Sequence, residues 1–175
     1  MRKLFVFILF VALSIICLTP KANAAQPRIL NPNEAALVAQ NCVVSQGSMQ
    51  RLGNSDLATR VTRGRVYDYL LTKLIAPLNS RVALNRFDAG ELTTTTTNIE
   101  QKFLGFKQDY TKYETALSSL VAFNCTAHPQ EFYTQLEGAR GLRAQVATDL
   151  ADLDTLFDAY DGAVSKLLVM VPGGK

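Results

Sequence analysis

The sequence predicts an all-α fold, an elongated antiparallel up-down-up bundle of three helices with coiled-coil packing. The first observation behind this prediction is a heptad pattern between Phe87 and Cys125. One apolar series recurs every seven residues, and a second follows it by four: Leu92, Ile99, Phe106, Tyr113 and Leu120, then Thr96, Phe103, Tyr110 and Leu117. This spacing is typical of a helix that buries one narrow stripe against neighbouring helices.

The second observation is that the heptad returns after Pro129. Its two series are Phe132, Ala139, Val146, Leu153, Tyr160 and Leu167, and Leu136, Arg143, Leu150, Phe157, Val164 and Val171. Arg143 is the polar exception. A charge at such a position must be paired or must reach solvent, and we expect its partner to be Tyr110, Asp109 or Glu114 on the central helix.

The first arm of the bundle is predicted as two helical stretches, 34–51 and 55–86, with Asn33 as the first cap. Its apolar face follows a heptad-like series and is widened by four further residues: Leu57, Val61, Gly64, Tyr67, Leu71, Leu74 and Leu78, then Val66, Leu70, Ile75 and Val82. The Gly53-Asn54-Ser55 cluster predicts a break. Pro77 predicts a kink, because proline removes a backbone donor and crowds the preceding turn.

The central and third helices are predicted at 89–123 and 129–171. Asp88 and Glu91 have the spacing of a capping box at the start of the central helix. The run Thr93–Thr97 contains mediocre helix formers, so it could instead form a linker or a glycan-bearing segment. The periodicity on both sides favours the helix.

Residues 1–24 have the pattern of a secretory signal peptide. Two basic residues precede an apolar run from Leu4 to Leu18, and Ala22-Asn23-Ala24 supplies the small residues that a signal peptidase reads. An uncleaved membrane anchor is the alternative. We expect a flexible leader at 25–33 and a disordered tail at 172–175, with 34–171 as a single domain.

The predicted cleavage changes the charge of the chain. The full sequence has 18 basic and 15 acidic residues, and the excess of three is Arg2, Lys3 and Lys21. The exported chain is therefore neutral, with 15 of each, so its charge does not indicate nucleic-acid binding.

Export leaves two cysteines, Cys42 and Cys125, which we predict to form a disulfide. Free buried thiols or an intermolecular bridge are the alternatives. The two residues lie 45 residues before and 38 residues after Phe87. A chain that folds back at Phe87 therefore brings both cysteines to one end of the bundle.

No catalytic, cofactor-binding or metal-ligating constellation is present in the sequence, and we expect no enzyme activity and no cofactor. His128 is the single histidine. The densest acidic group is interleaved with seam residues and is expected to form a solvated face, an ion site being the alternative; it comprises Asp149, Asp152, Asp154, Asp158 and Asp161.

Several spaced residues occur together in order: Cys42, Arg65-x-Tyr67, Phe87-Asp88-x-x-x-Leu92, Phe106-x-x-Asp109-Tyr110-x-x-Tyr113, Cys125-x-x-x-Pro129-x-x-Phe132 and Ala139-Arg140-x-x-Arg143. The set resembles uncharacterised exported helical proteins of Saccharibacteria and related small-genome bacteria. This sequence departs from them at Gly53-Asn54-Ser55, at Pro77 and in the threonine run. The resemblance implies an envelope or cell-surface location, and no functional residue carries over from it.

We therefore expect a non-enzymatic exported module with a structural or protein-interaction role, monomeric or a small homo-oligomer. Its partner would be a protein of unknown identity, not nucleic acid or a small-molecule substrate, and membrane contact would come only through an uncleaved signal segment. A periplasmic-type holdase is one alternative. Another is a ligand-binding bundle with a cavity near Gly64, Thr96 and Ala139.

Overall fold

A computed structural model describes residues 28–170, and all regular secondary structure in that range is helical. The helices are α1 (Pro32–Gln40), α2 (Cys42–Tyr69), a π-helical segment (Leu70–Ile75), α3 (Ala76–Leu84), α4 (Gly90–Ala122) and α5 (Pro129–Met170). Helix α4 packs along α5, α2 packs on α4, and α1 packs on α5. The prediction of an all-α bundle is confirmed. The predicted signal peptide and tail lie outside the described residues.

Contacts between α4 and α5 follow opposite orders along the two helices. Near the start of α4, Glu91 Oε1 lies 2.7 Å from the Nζ atom of Lys166, close to the end of α5. Further along α4, Lys102 Nζ lies 3.0 Å from Asp149 Oδ1. The short connector after α4 then leads directly into α5.

The heptad residues of α4 form the centre of the core. Its first series, Leu92, Ile99, Phe106, Tyr113 and Leu120, is at most 2% exposed. Opposite them, α5 buries Phe132, Ala139, Val146, Leu153 and Tyr160. The burial predicted from these heptads is confirmed. Each large side chain of this kind stabilises the fold by roughly 1.5–3 kcal/mol relative to an exposed position.

Helix α1 begins two residues earlier than expected. Asn31, rather than Asn33, is its cap, and Asn31 and Glu34 form a reciprocal capping box. Asn31 takes this role because Pro32 occupies the first helical position, where its missing amide donor costs nothing. A turn at Asn41 then separates α1 from α2.

Helix α2 runs without interruption through Gly53-Asn54-Ser55, so the expected break at this cluster is wrong. Tertiary packing overrides the weak local propensity here. A Cβ atom at Gly53 would lie 3.0 Å from Leu117 Cδ2, so the absence of a side chain is what permits α2 to approach α4 closely.

The interruption predicted near Pro77 is confirmed, and it takes the form of the π-helical segment Leu70–Ile75. Pro77 itself lies in the first turn of α3. A π-helical turn bonds each amide to the carbonyl five residues earlier and is frequently a single-residue insertion in an α-helix.

The buried face of α2 also differs from the predicted one. Leu57 and Val61 are 39% and 38% exposed. Tyr67 is buried as predicted, and so is Met49, which lies outside the predicted face. Between those two buried residues, the positions nearest the core hold Asp56 and Arg60, which are only partly exposed. The apolar pattern was misleading because polar side chains occupy part of the inward face.

The start of α4 lacks the predicted Asp88–Glu91 capping box. Asp88 Oδ1 accepts a hydrogen bond from the Gly90 amide at 2.9 Å, and Ala89 holds the cap position. Glu91 therefore falls in the first helical turn and pairs with α5. The run Thr93–Thr97 is helical, as predicted.

Candidate functional site

The candidate site is a groove between α2 and α5. Polar side chains bridge these two helices above the floor formed by α4. At one level Asp56 meets Arg143, and at the next the Tyr67 hydroxyl donates to Asp154 Oδ1 at 3.0 Å. The bridges fix the width of the groove.

Arg143 makes the central bridge. Its Nε donates to Asp56 Oδ2 at 2.8 Å, and its Nη2 donates to Asp56 Oδ1 at 3.0 Å. The Tyr113 hydroxyl donates to the same Asp56 Oδ2 at 2.7 Å. Such a two-point guanidinium–carboxylate contact fixes orientation as well as supplying energy.

The expectation that Arg143 is paired is correct, but the expected partners Tyr110, Asp109 and Glu114 on α4 are wrong. Asp109 instead lies 2.7 Å from Lys112 on its own helix. Arg143 reaches over the edge of the α4–α5 interface to α2, because Asp56 is the carboxylate on the inward face of that helix. The guanidinium side of the pair remains half-exposed.

The three groups influence one another's protonation. The hydrogen bond from Arg143 lowers the pKa of Asp56 below its usual value, against the opposing effect of burial. The same contact raises the pKa of Arg143. Burial, followed by the hydrogen bond to Asp56, raises the pKa of Tyr113. At neutral pH the cluster is therefore an ion pair with a neutral phenol.

Two adjoining cavities lie along the groove on either side of Arg143. The first has a volume of about 380 Å³ and is lined mainly by Asp56, Arg60, Phe106 and Tyr110. The second, of about 400 Å³, has a more apolar wall that includes Met49. Tyr113 and Arg143 line both cavities. Their volumes lie within the range of small-molecule sites.

Arg60 and Tyr110 supply the remaining polar groups of the first cavity. The Arg60 guanidinium carbon lies 4.7 Å from the centre of the Tyr110 ring, a cation–π geometry. Arg60 has no carboxylate within salt-bridge distance among residues 28–170. Burial raises the pKa of the Tyr110 hydroxyl, so it is a neutral donor at this edge of the cavity.

A second polar cluster corrects the prediction of a wholly solvated acidic face. Asp149 is only 2% exposed. Its Oδ1 lies 3.0 Å from Lys102 Nζ and accepts a hydrogen bond from Gln145, whereas its Oδ2 is buried with no partner among the described residues. Lys102 also contacts Asp152 at 2.7 Å. Asp149 is inward because it lies three residues after Val146, on the α4-facing side of α5.

The predicted cysteine pair lies at one end of the bundle. Cys42 and Cys125 are at disulfide-bonding distance, with their Cα atoms 5.5 Å apart. Beside them, the Gln46 side-chain amide donates to the Phe123 carbonyl at 2.7 Å and thereby satisfies the end of α4. The pair anchors the start of α2 to the connector before α5.

The three residues expected near a ligand cavity are not brought together. Ala139 lines the second groove cavity. Gly64 lines a separate shallow depression, and Thr96 accepts a hydrogen bond from Asn79 at 2.8 Å. His128 lies in the connector, with its ring centre 6.3 Å from that of Phe123.

Sequence reasoning missed Asp56, Tyr113 as a hydrogen-bond donor, and the Lys102–Asp149 pair. For Asp56 a signal was present. It lies seven residues after Met49 and fourteen after Cys42, so it continues the inward heptad of α2. A carboxylate at that position indicates a partner across the core.

Within residues 28–170, no cluster of side chains with metal-ligating character is found. No helix in the same range is long and apolar enough to cross a membrane. Comparisons with protein-family models, curated proteins and solved structures found no match to this chain.

Proposed function

We propose that this protein is a non-enzymatic, exported helical module with a structural or protein-interaction role at a bacterial envelope or cell surface. We further propose that its helices form an antiparallel up-down-up coiled coil. The opposite order of contacts along α4 and α5 supports that arrangement. The Cys42–Cys125 pair supports export, since disulfides persist mainly in oxidising compartments.

The observation that carries the interaction role is the number of exposed large apolar side chains on α2. Of fifteen exposed large apolar side chains among the described residues, seven lie on this helix. They are Val43, Val44, Leu52, Leu57, Val61, Val66 and Tyr69. Helix α4, although longer, exposes only Leu104.

The rest of the described fold covers these side chains only in part. Leu57 and Val61 are four residues apart and share one side of the helix. Exposed apolar surface of this kind marks interaction sites when it is grouped. We place the partner-binding surface on α2, around Leu57 and Val61.

Site-specific photo-crosslinking in cells tests this placement. A crosslinking residue at Val61 should capture a discrete partner. The same residue at Ala151, an exposed position on α5, is the matched control and should not. The crosslink at Val61 should disappear when Leu57 is changed to Glu. Equal capture from both helices would contradict an α2 surface.

The same uncovered side chains favour a second candidate, a holdase that grips unfolded clients. A holdase would suppress the aggregation of unrelated unfolding proteins, and Leu57→Glu would reduce that effect. A specific interaction module would leave such aggregation unchanged. Light scattering of a heat-unfolding test protein separates the two candidates.

A further inference from the structure

The groove between α2 and α5 has the chemistry of a binding site, and its two cavities do not include Leu57 or Val61, around which the partner surface is proposed. Its apolar lining is contributed by all three surrounding helices, and comprises Val44, Met49, Leu52, Phe106, Leu117 and Leu136. A mostly apolar wall with a few convergent polar groups is the usual composition of a small-molecule site.

The charges around the groove favour an anion. Three arginines, Arg60, Arg140 and Arg143, line it together with one carboxylate, Asp56. Arg143 and Asp56 satisfy each other, and Arg140 contacts Glu137 on its own helix at 2.5 Å. Arg60 is the lining cation that no carboxylate in residues 28–170 neutralises.

The dimensions of the groove exclude a helical partner. The Asp56–Arg143 contact and the Tyr67–Asp154 hydrogen bond cross directly from α2 to α5. A helix with its side chains has a diameter of about 10–12 Å and cannot enter beneath these bridges. A single thin chain can occupy the cavities on either side of Arg143.

We propose that the α2–α5 groove binds an amphiphile with one apolar chain and an anionic head group. The head group accepts hydrogen bonds from the Arg60 guanidinium and the Tyr110 hydroxyl in the first cavity. The hydrogen bond from Tyr113 to Asp56 closes the space beneath the central bridge. The apolar chain therefore crosses the half-exposed side of Arg143 and enters the second cavity, where it covers Met49 and Leu117.

Isothermal titration calorimetry of the exported protein with dodecanoate, below its micelle concentration, tests the proposal. We expect saturable binding at one site. Dodecyltrimethylammonium, which has the same chain length and a cationic head, should bind at least about tenfold more weakly, because its head group cannot accept the charged hydrogen bond from Arg60. Comparable affinity for both amphiphiles, or no saturation, would overturn the proposal.

Matched variants locate the site. Ala147→Phe fills the first cavity from an exposed position on α5 and should abolish binding. Ala159→Phe adds the same ring at an exposed position on the opposite side of the same helix, outside the two cavities, and should leave binding unchanged. Thermal unfolding monitored by circular dichroism verifies that both variants fold.

The head-group contact has its own control. Arg60→Gln should weaken dodecanoate binding about tenfold. Arg65→Gln removes an equal charge from an exposed position of the same helix outside the two cavities and should have no such effect. Equal losses from both arginine variants would show that only the overall charge matters, and would overturn the assignment of the head-group site. A variant that loses amphiphile binding but still crosslinks to a partner at Val61 would show that the amphiphile site and the proposed partner surface are distinct.

Discussion

Opening the bond between Cys42 and Cys125 should lower the free energy of unfolding substantially. The two residues are separated by 83 positions. On a chain-entropy model, closing a loop of that length restricts the unfolded chain enough to stabilise the fold by about 4.5 kcal/mol at 25 °C. The effect lies in the unfolded state, so the reduced protein should retain its helical content at low denaturant.

Urea unfolding of the oxidised and reduced forms, monitored by circular dichroism, measures this difference. The double variant Cys42→Ala/Cys125→Ala is a further comparison, and it should lose more than reduction alone. Both cysteines are almost fully buried, so alanine also removes the packing of two sulfur atoms. The urea dependence should steepen as well, because the unfolded chain without the link exposes more surface. Identical unfolding curves for the oxidised and reduced forms would refute the reasoning.

Three further perturbations test local contacts. Folding lowers the pKa of Asp56. Its contribution to the free energy of unfolding is therefore present above a pH of about 4 and is lost as the pH falls through the folded-state pKa. Asp56→Asn should make the free energy of unfolding less dependent on pH in this acidic range. Lys102→Met should cost about 3 kcal/mol, because it leaves the buried carboxylate of Asp149 unpaired, and adding Asp149→Leu should restore most of that loss in urea unfolding. Gly64→Ala should raise the melting temperature, with a gain of roughly 0.5–1 kcal/mol from helix propensity, since nothing lies within 4 Å of the added methyl. Gly53→Ala should gain less or lower it, because the methyl would lie 3.0 Å from Leu117 Cδ2, and Leu117 is held in the core at 6% exposure.

The sequence allowed α4 and α5 to be predicted well because apolar periodicity decides their burial. The α4 heptad members from Leu92 to Leu120 occupy the core as the spacing requires. Helices α4 and α5 each pack against more than one other helix. Tertiary packing therefore decides their conformation, and intrinsic helix propensity contributes little. Even the threonine run, with its weak local preference, follows the surrounding pattern.

The α2–α5 groove could not be predicted in the same way. Its key residue, Asp56, is polar but lies at an inward position. A prediction of buried positions from apolar residues alone therefore selects the neighbouring Leu57 instead. The pairing of Asp56 with Arg143 depends on how α2 lies across α4 and α5. The spacing of residues within one helix does not specify that arrangement. Asp149 was missed for a related reason. It belongs to a run of acidic residues, which predicts a solvent-exposed position, and the sequence does not show that Lys102 of α4 lies opposite it.

The π-helical segment explains why the register of the first arm was hard to read. Tyr67 and Ile75 are both buried, although they are eight residues apart. At about 100° per residue, eight residues of α-helix turn about 80° past two full turns, which would move Ile75 off the core face. The wider π-helical turn of Leu70–Ile75 removes that offset and returns Ile75 to the face of Tyr67.

Deleting one exposed residue inside this segment should therefore be tolerated. Without Lys73, Tyr67 and Ile75 would be seven residues apart, which an ordinary α-helix places within about 20° of the same face. The deletion variant should fold with stability near that of the parent in urea unfolding. Deleting the exposed Thr62 from the regular part of α2 is the matched control. It rotates the helix on one side of the cut by about 100°, separates Asp56 from the face of Tyr67, and should be strongly destabilising. If both deletions cost the same, the π-helical segment does not compensate an inserted residue.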